Sequence, residues 1–183
     1  MRSGHIILDR DGVLNVEPEE GWLQSPAEWR WEQGAEAGLE LLASSGVAVS
    51  VATNQSGVGR GVVRPEDLAQ LHRWLEADLV ARGVLLVGIF TCTHAPDHGC
   101  GCRKPRPGLV QQAMERSGIP AERTALIGDA ERDLDAAAAS GIDAVVVRTG
   151  KARTAAPHGV ASFADLASAV DHLVACWSEL PDR

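Results

Sequence analysis

Residues 6–15 read Ile6-Ile7-Leu8-Asp9-Arg10-Asp11-Gly12-Val13-Leu14-Asn15, an apolar run that passes straight into two carboxylates one residue apart and then a glycine. In an extended segment residues i and i+2 point the same way, so Asp9 and Asp11 project together at the strand's end while Arg10 turns aside. Two carboxylates so placed repel each other. A solvated turn would account for an isolated Asp-x-Asp-Gly, since both residue types are common in turns. A cation holding the pair would account for it too, and the rest of a site decides between them.

Working outward, the same apolar, β-branched pattern recurs at His5–Leu8, Val47–Thr53, Val84–Thr91, Ala125–Gly128 and Ala144–Val147. Helical patterns lie between these runs. Gly34–Gly46 sets Leu39 and Leu42 at helical spacing and stops at glycine. Pro65 opens a second helix at its favoured first-turn position, with Leu68, Leu71, Leu75 and Leu79 on one face, and Gly83 ends it. Further helices are predicted over Gly108–Ser117, Glu131–Ser140 and Phe163–Trp177, with Gly118 and Gly141 as stops. This alternation predicts an α/β fold, a Rossmann-like three-layer α/β/α arrangement around a mostly parallel sheet, in which ligands sit beyond the carboxyl ends of the strands.

At 183 residues the chain is expected to form one domain spanning 1–183. The departure from regularity is Val16–Gln33, which carries Trp22, Trp29 and Trp31 among prolines and acids. It reads as a flap-like loop near the strand ends, with a plain cover for the core as the other reading. The formal net charge of −8 argues against nucleic acid or an anionic membrane surface as the main partner. No apolar run approaches the roughly 18 residues needed to span a bilayer, and three strongly apolar residues before Asp9 are too few for a signal-peptide core. The expectation is a cytoplasmic monomer with no membrane partner.

Three more segments carry chemistry. In Val51-Ala52-Thr53-Asn54-Gln55-Ser56-Gly57 a strand delivers hydroxyl, amide and exposed backbone N–H groups that suit a phosphate oxygen. The glycines at 57, 59 and 61 do not have the G-x-G-x-x-G spacing of a dinucleotide loop. Next, Cys92-x-His94 and Cys100-x-Cys102 place three thiols and an imidazole on a short loop over 92–102, the closed four-ligand set of a structural zinc site, with His98 as a competing imidazole. Arg103 and Lys104 follow at once, and a loop fixed at Cys102 would aim both cations at one place, where they are natural grips for phosphate. Last, the strand Ala125–Gly128 is another buried run, delivering Asp129 at its end, with Asp133 one helical turn on. With Asp9 and Asp11 this makes three acids at one sheet edge, which suits Mg²⁺ held by a few oxygens and a substrate phosphate.

The segments DRDGVLN, TNQSG, RKP and GDAERD, each after a strand and in this order, resemble the haloacid dehalogenase (HAD) superfamily of aspartate-nucleophile phosphatases, over nearly the whole chain. The zinc loop running into Arg-Lys-Pro resembles the branch containing the D-glycero-D-manno-heptose 1,7-bisphosphate phosphatases and the histidinol-phosphatase domain. The resemblance implies a HAD-like fold with no large cap domain. It implies that Asp9 is a nucleophile forming an aspartyl-phosphate and that Asp11 is the acid that protonates the leaving oxygen and later activates water. Mg²⁺ would be held by the Asp9 and Asp129 carboxylates and the Asp11 backbone carbonyl. Thr53 and Lys104 would stabilise the transition state, with Asn54, Gln55 and Ser56 nearby. Arg103 and the flap residues Glu19, Glu20, Gly21 and Trp22 would meet the sugar or its second phosphate.

The implied activity is a Mg²⁺-dependent phosphomonoester hydrolase acting on a small phosphorylated sugar, with the C7 phosphate of heptose 1,7-bisphosphate removed. Histidinol phosphate is the alternative substrate, and a catalytically silent, zinc-stabilised phospho-ligand-binding protein is the alternative of another class. The presence of both Asp9 and Asp11 speaks against the silent protein. One departure stands out: Ala130 follows Asp129 where a basic residue is common in these families, and Arg132 comes two places later.

Overall fold

The computed structural model describes residues 4–19, 21–153 and 159–179. Six strands form one all-parallel sheet: β1 (His5–Leu8), β2 (Ala48–Asn54), β3 (Leu85–Cys92), β4 (Thr124–Gly128), β5 (Asp143–Val147) and β6 (Ser162–Phe163), in the spatial order β3-β2-β1-β4-β5-β6. The order reverses at β1 and β4. A crevice opens at such a switch point, beyond the carboxyl ends of the two central strands, and both of these strands run into aspartates.

The period-2 alternation of each strand sorts its side chains into two cores. Ile6, Leu8, Val49, Val51, Ala125 and Ile127 face one side, where they pack with Leu39, Leu42, Leu71, Leu75, Leu79 and Leu173. Ile7, Ala52 and Leu126 face the other, against Leu109, Val110, Ala113, Ala136 and Ala137. Helices α1 (Ala35–Ser45), α3 (Pro65–Ala81) and α6 (Leu166–Glu179) therefore supply the first layer, and α4 (Gly108–Ser117) and α5 (Glu131–Ser140) the second. The three-layer expectation holds, and the predicted strands and helices agree with the observed ones to within a residue or two at most ends.

Two elements differ from expectation. Ser56–Gly59 forms a short helix, α2, where none was predicted before Pro65. The predicted helix start at Phe163 gives way to β6, and α6 begins at Leu166. Asp165 sets that boundary: its carboxylate accepts the Ser168 N–H at 2.9 Å while the Ser168 hydroxyl accepts the Asp165 N–H at 3.2 Å, a reciprocal cap that leaves Phe163 outside to pair with Val147.

Residues 16–33 take different positions in different parts. Trp29 is buried and Trp31 partly so; they meet each other edge-on at 5.2 Å and Trp74 of α3 at ring distances of 5.3 and 6.5 Å, and cover the core. Trp22 instead faces the crevice. Among the described residues no helix is long and apolar enough to cross a membrane.

Candidate active site

Asp9 follows β1 directly, and its backbone N–H extends the ladder to Ile127 at 2.9 Å. Its side chain is buried among cations. Oδ1 accepts the Arg10 backbone N–H at 2.7 Å and lies 3.0 Å from Lys104 Nζ, while Oδ2 lies 3.2 Å from Arg132 Nη2. Burial by itself opposes ionisation, but Lys104 and Arg132 outweigh it and hold the Asp9 carboxyl below the usual carboxylate range. Asp9 is thus an anion at neutral pH.

Asp11 has a separate counter-charge. Arg10 does not turn away from it: its guanidinium reaches Asp11 Oδ1 at 2.8 Å through Nη2 and 3.3 Å through Nε, and Asn15 Nδ2 donates to the same oxygen at 3.0 Å. Oδ2 accepts Gln55 Nε2 at 2.7 Å. The repulsion expected between the two acids is therefore relieved residue by residue, with Lys104 and Arg132 on one and Arg10 on the other.

Asp129 lies at the end of β4. Its Oδ2 accepts the Lys151 backbone N–H at 2.7 Å, and Oδ1 sits 3.4 Å from Arg132 Nη2. Burial, then the charge of Asp9, pushes this carboxyl up to about 6. Gly12, at φ +83°, and Gly150 both crowd it so closely that a Cβ at either would run into the carboxylate. Asp9, Asp129 and Asp133 offer carboxylate oxygens that all lie within 4.8 Å of one another, and all three residues are buried. This oxygen-rich cluster fits a hard divalent cation, and the Arg132 guanidinium between Asp9 Oδ2 and Asp129 Oδ1 holds positive charge in the same place. The Asp11 side chain lies outside that trio.

Asp133 and Arg132 were not among the candidate site residues. Asp133, in the first turn of α5, lies 2.6 Å from Lys104 Nζ through Oδ1, and its Oδ2 accepts the Ala130 N–H at 3.2 Å. The one-turn spacing from Asp129 was the available signal for it.

β2 brings up the remaining groups. Thr53 is fully buried and its Oγ1 accepts Gln55 Nε2 at 2.8 Å. Gln55 commits its amide to Thr53 and Asp11, so it braces the site and does not present that group to a ligand. Asn54 clasps the backbone of Lys104 from both sides, donating to its carbonyl at 3.0 Å and accepting its N–H at 3.1 Å. Above these groups is a cleft of about 310 Å³, walled by Asp9, Asp11, Asn54, Ser56 and Arg103, with Glu19, Gly21 and Trp22 on the flap side. Glu20 lies outside the described residues. Arg132 and Lys151 complete the wall, and Lys151 Nζ pairs with Glu17 at 2.7 Å across its rim.

The cysteine loop gathers as its spacing predicts. Cys92 Sγ lies 3.5 Å from His94 Nδ1 and 3.7 Å from Cys100 Sγ, and Cys102 Sγ lies 3.3 Å from His94 Nδ1. A tetrahedron with Zn–S bonds of about 2.3 Å and Zn–N of about 2.0 Å has edges of about 3.5–3.8 Å, so the four ligand atoms already stand near the corners zinc requires. Left as a thiol, Cys92 is pushed up to about 12 by burial and its sulfur neighbours, which a bound metal would reverse. His98 stacks on His94 at 4.3 Å and is not part of the cluster.

Comparison with known proteins follows the same lines. The HAD-hydrolase-like family model matches residues 101–174. The chain is 37% identical over 173 residues to the D-glycero-β-D-manno-heptose-1,7-bisphosphate 7-phosphatase of Pseudomonas putida, covering 92% of this chain and 98% of that one. It is 36% identical over 174 residues to the enzyme of the same name from Bordetella bronchiseptica, covering 92% and 97%. The crystal structure of the B. bronchiseptica D,D-heptose 1,7-bisphosphate phosphatase, complexed with magnesium and phosphate, superposes with a TM-score of 0.83 at 35% identity, covering 94% of this chain and 98% of that one.

Proposed function

The chain belongs to the HAD-like hydrolases, in the family of the heptose 1,7-bisphosphate phosphatases, and from this we propose that it removes the C7 phosphate of D-glycero-β-D-manno-heptose 1,7-bisphosphate through an aspartyl-phosphate on Asp9. The observation that carries the reading is the Asp9 environment: a buried carboxylate kept ionised by Lys104 and Arg132 at the floor of a cleft that Arg103, Arg132 and Lys151 also line.

In the proposed reaction a carboxylate oxygen of Asp9 attacks phosphorus, the bond to the sugar oxygen breaks, and a proton on Asp11 passes to that oxygen. Asp11 then takes a proton from a water that attacks the acyl phosphate, releasing inorganic phosphate and restoring Asp9. Lys104, fixed beneath Asp9, and the Thr53 hydroxyl support the charge on the transferring group. Mg²⁺, held by Asp9 and Asp129 with the Asp11 carbonyl, would neutralise the phosphoryl oxygens. Arg103 and Lys151 suit the second phosphate, and Glu19, Gly21 and Trp22 suit the sugar. Zinc on Cys92, His94, Cys100 and Cys102 is structural, since a closed set leaves no position for substrate. The proposed setting is a cytoplasmic monomer, in which the thiols would stay reduced.

Phosphate release measured across both anomers of the heptose bisphosphate, histidinol phosphate and simple sugar phosphates tests the reading. The β-heptose bisphosphate should give the highest kcat/KM. A higher value for histidinol phosphate would move the chain to the other branch, and no release from any of them would restore the silent-binder alternative.

A further inference from the structure

Below the cleft a line of polar side chains runs away from Asp11 into the protein. Arg10 is 1% exposed, so each of its donors needs a partner. Two N–H groups go to Asp11 Oδ1. On the far side Nη1 lies 3.1 Å from Nε2 of His72, on α3, and His72 Nδ1 lies 3.4 Å from the Thr91 hydroxyl of β3. A guanidinium only donates, so His72 Nε2 must accept, which puts the ring proton on Nδ1, facing Thr91. Burial, and after it the charge of Arg10, pushes His72 down to about 4, so the accepting, neutral ring is the form present at working pH.

At the other end of the line, Asp11 Oδ1 takes three N–H donors while Oδ2 takes one. Oδ1 is saturated and Oδ2 keeps a free lone pair. Which oxygen can carry a proton, and where it points, is therefore decided by the Arg10 fork.

We propose that His72 is a positioning residue for phosphoryl transfer: its Nε2 lone pair anchors Arg10, and Arg10 in turn presents Asp11 with the transferable proton on Oδ2. This rests on the reading of Asp11 as the general acid. A side chain that merely fills space would influence all substrates alike. One that sets the acid matters most when the leaving oxygen is basic, because a good leaving group departs with little protonation.

The test compares kcat/KM, which covers the steps through leaving-group departure, for the heptose bisphosphate and for p-nitrophenyl phosphate. His72→Leu should lower it roughly ten- to hundredfold on the sugar phosphate, within the range general acids supply, and by less than about threefold on the aryl phosphate. His72→Gln, whose amide oxygen reaches toward Arg10, should restore most of the loss. His72→Asn keeps an amide opposite Thr91 but falls short of Arg10, and should show the same split should the leucine variant fail to fold. An equal loss on both substrates, or no loss, overturns the proposal. Asp11→Asn is run beside them: if it shows the leaving-group split and the His72 variants do not, the positioning role alone fails. If Asp11→Asn shows no split, the acid assignment fails and the inference goes with it.

Discussion

Lys104 Nζ stands 2.6 Å from Asp133 Oδ1 and 3.0 Å from Asp9 Oδ1, with none of the three side chains more than 3% exposed. One ammonium thus serves two buried carboxylates, one just past the end of β1 and one on the first turn of α5. Asn54 fixes the backbone of Lys104 by two hydrogen bonds, so the lysine is tied at both ends. Breaking a buried ion pair by removing one partner is costly because the other charge stays behind, and here two charges would stay behind.

Lys104→Met should therefore damage stability and turnover together. The expected loss of unfolding free energy is about 3 kcal/mol, with phosphatase activity reduced to background. Urea unfolding and phosphate release on the same preparation check this; a variant as stable as the parent would show that Asp133 and Asp9 find other partners.

Asp9→Asn separates chemistry from folding. The amide keeps the size of the side chain but is not a nucleophile, so kcat should fall by at least about 10³-fold while the melting temperature shifts little. Residual turnover near that of the parent would remove the assignment of Asp9 as the attacking group.

Asp9 and Asp129 were legible because each ends an apolar strand, and the sheet topology then carries both ends to the same switch point. The Cys/His cluster was legible because three thiols and an imidazole within eleven residues, 92–102, leave few readings other than a metal site. What stayed hidden depends on contacts far apart in sequence. No local pattern says that Lys104 takes Asp133, or that Arg10 folds back on Asp11 and leans on a histidine 62 residues away. Helix α2 was missed because Ser-Gly-Val-Gly has poor helical propensity; Gly57 is needed there because a Cβ would press on Val63 and the Trp22 ring. Strand β6, two residues long, is too short to show a period.

His5 gives a pH dependence away from the site. It lies at the start of β1, fully buried, with Nε2 at 2.8 Å from the Ser50 hydroxyl, and burial pushes its pKa from the ordinary 6.5 down to about 4. Because the folded value is the lower one, the unfolded chain takes up the proton first as pH falls. The stability is complete above about 6.5 and is lost progressively toward 4. Between pH 7 and pH 5 this one group should cost about 2 kcal/mol. His5→Gln, which does not titrate, should lose less stability over that interval by about this amount. Urea midpoints for parent and variant at both pH values decide it, and parallel losses would mean that His5 is protonated in the folded protein.

The zinc loop should act on catalysis only through geometry. Three thiolates and a neutral imidazole leave a closed cluster with no free position, so the metal itself neither holds substrate nor activates water. Its influence passes along the chain: Cys102 is bonded to Arg103, which walls the cleft, and Lys104 follows beneath Asp9. Structural zinc sites contribute on the order of 10 kcal/mol to local folding, far more than the clasp of Asn54 on Lys104 can replace. Cys100→Ser or Cys102→Ser should lower bound zinc and reduce kcat/KM at least tenfold, as losses around metal sites commonly do. Magnesium binding at the Asp9–Asp129 edge should be largely kept, since no zinc ligand touches it. Metal analysis, magnesium titration and kinetics on the same variants test the scaffold role, and a zinc-free protein with full kcat/KM would end it.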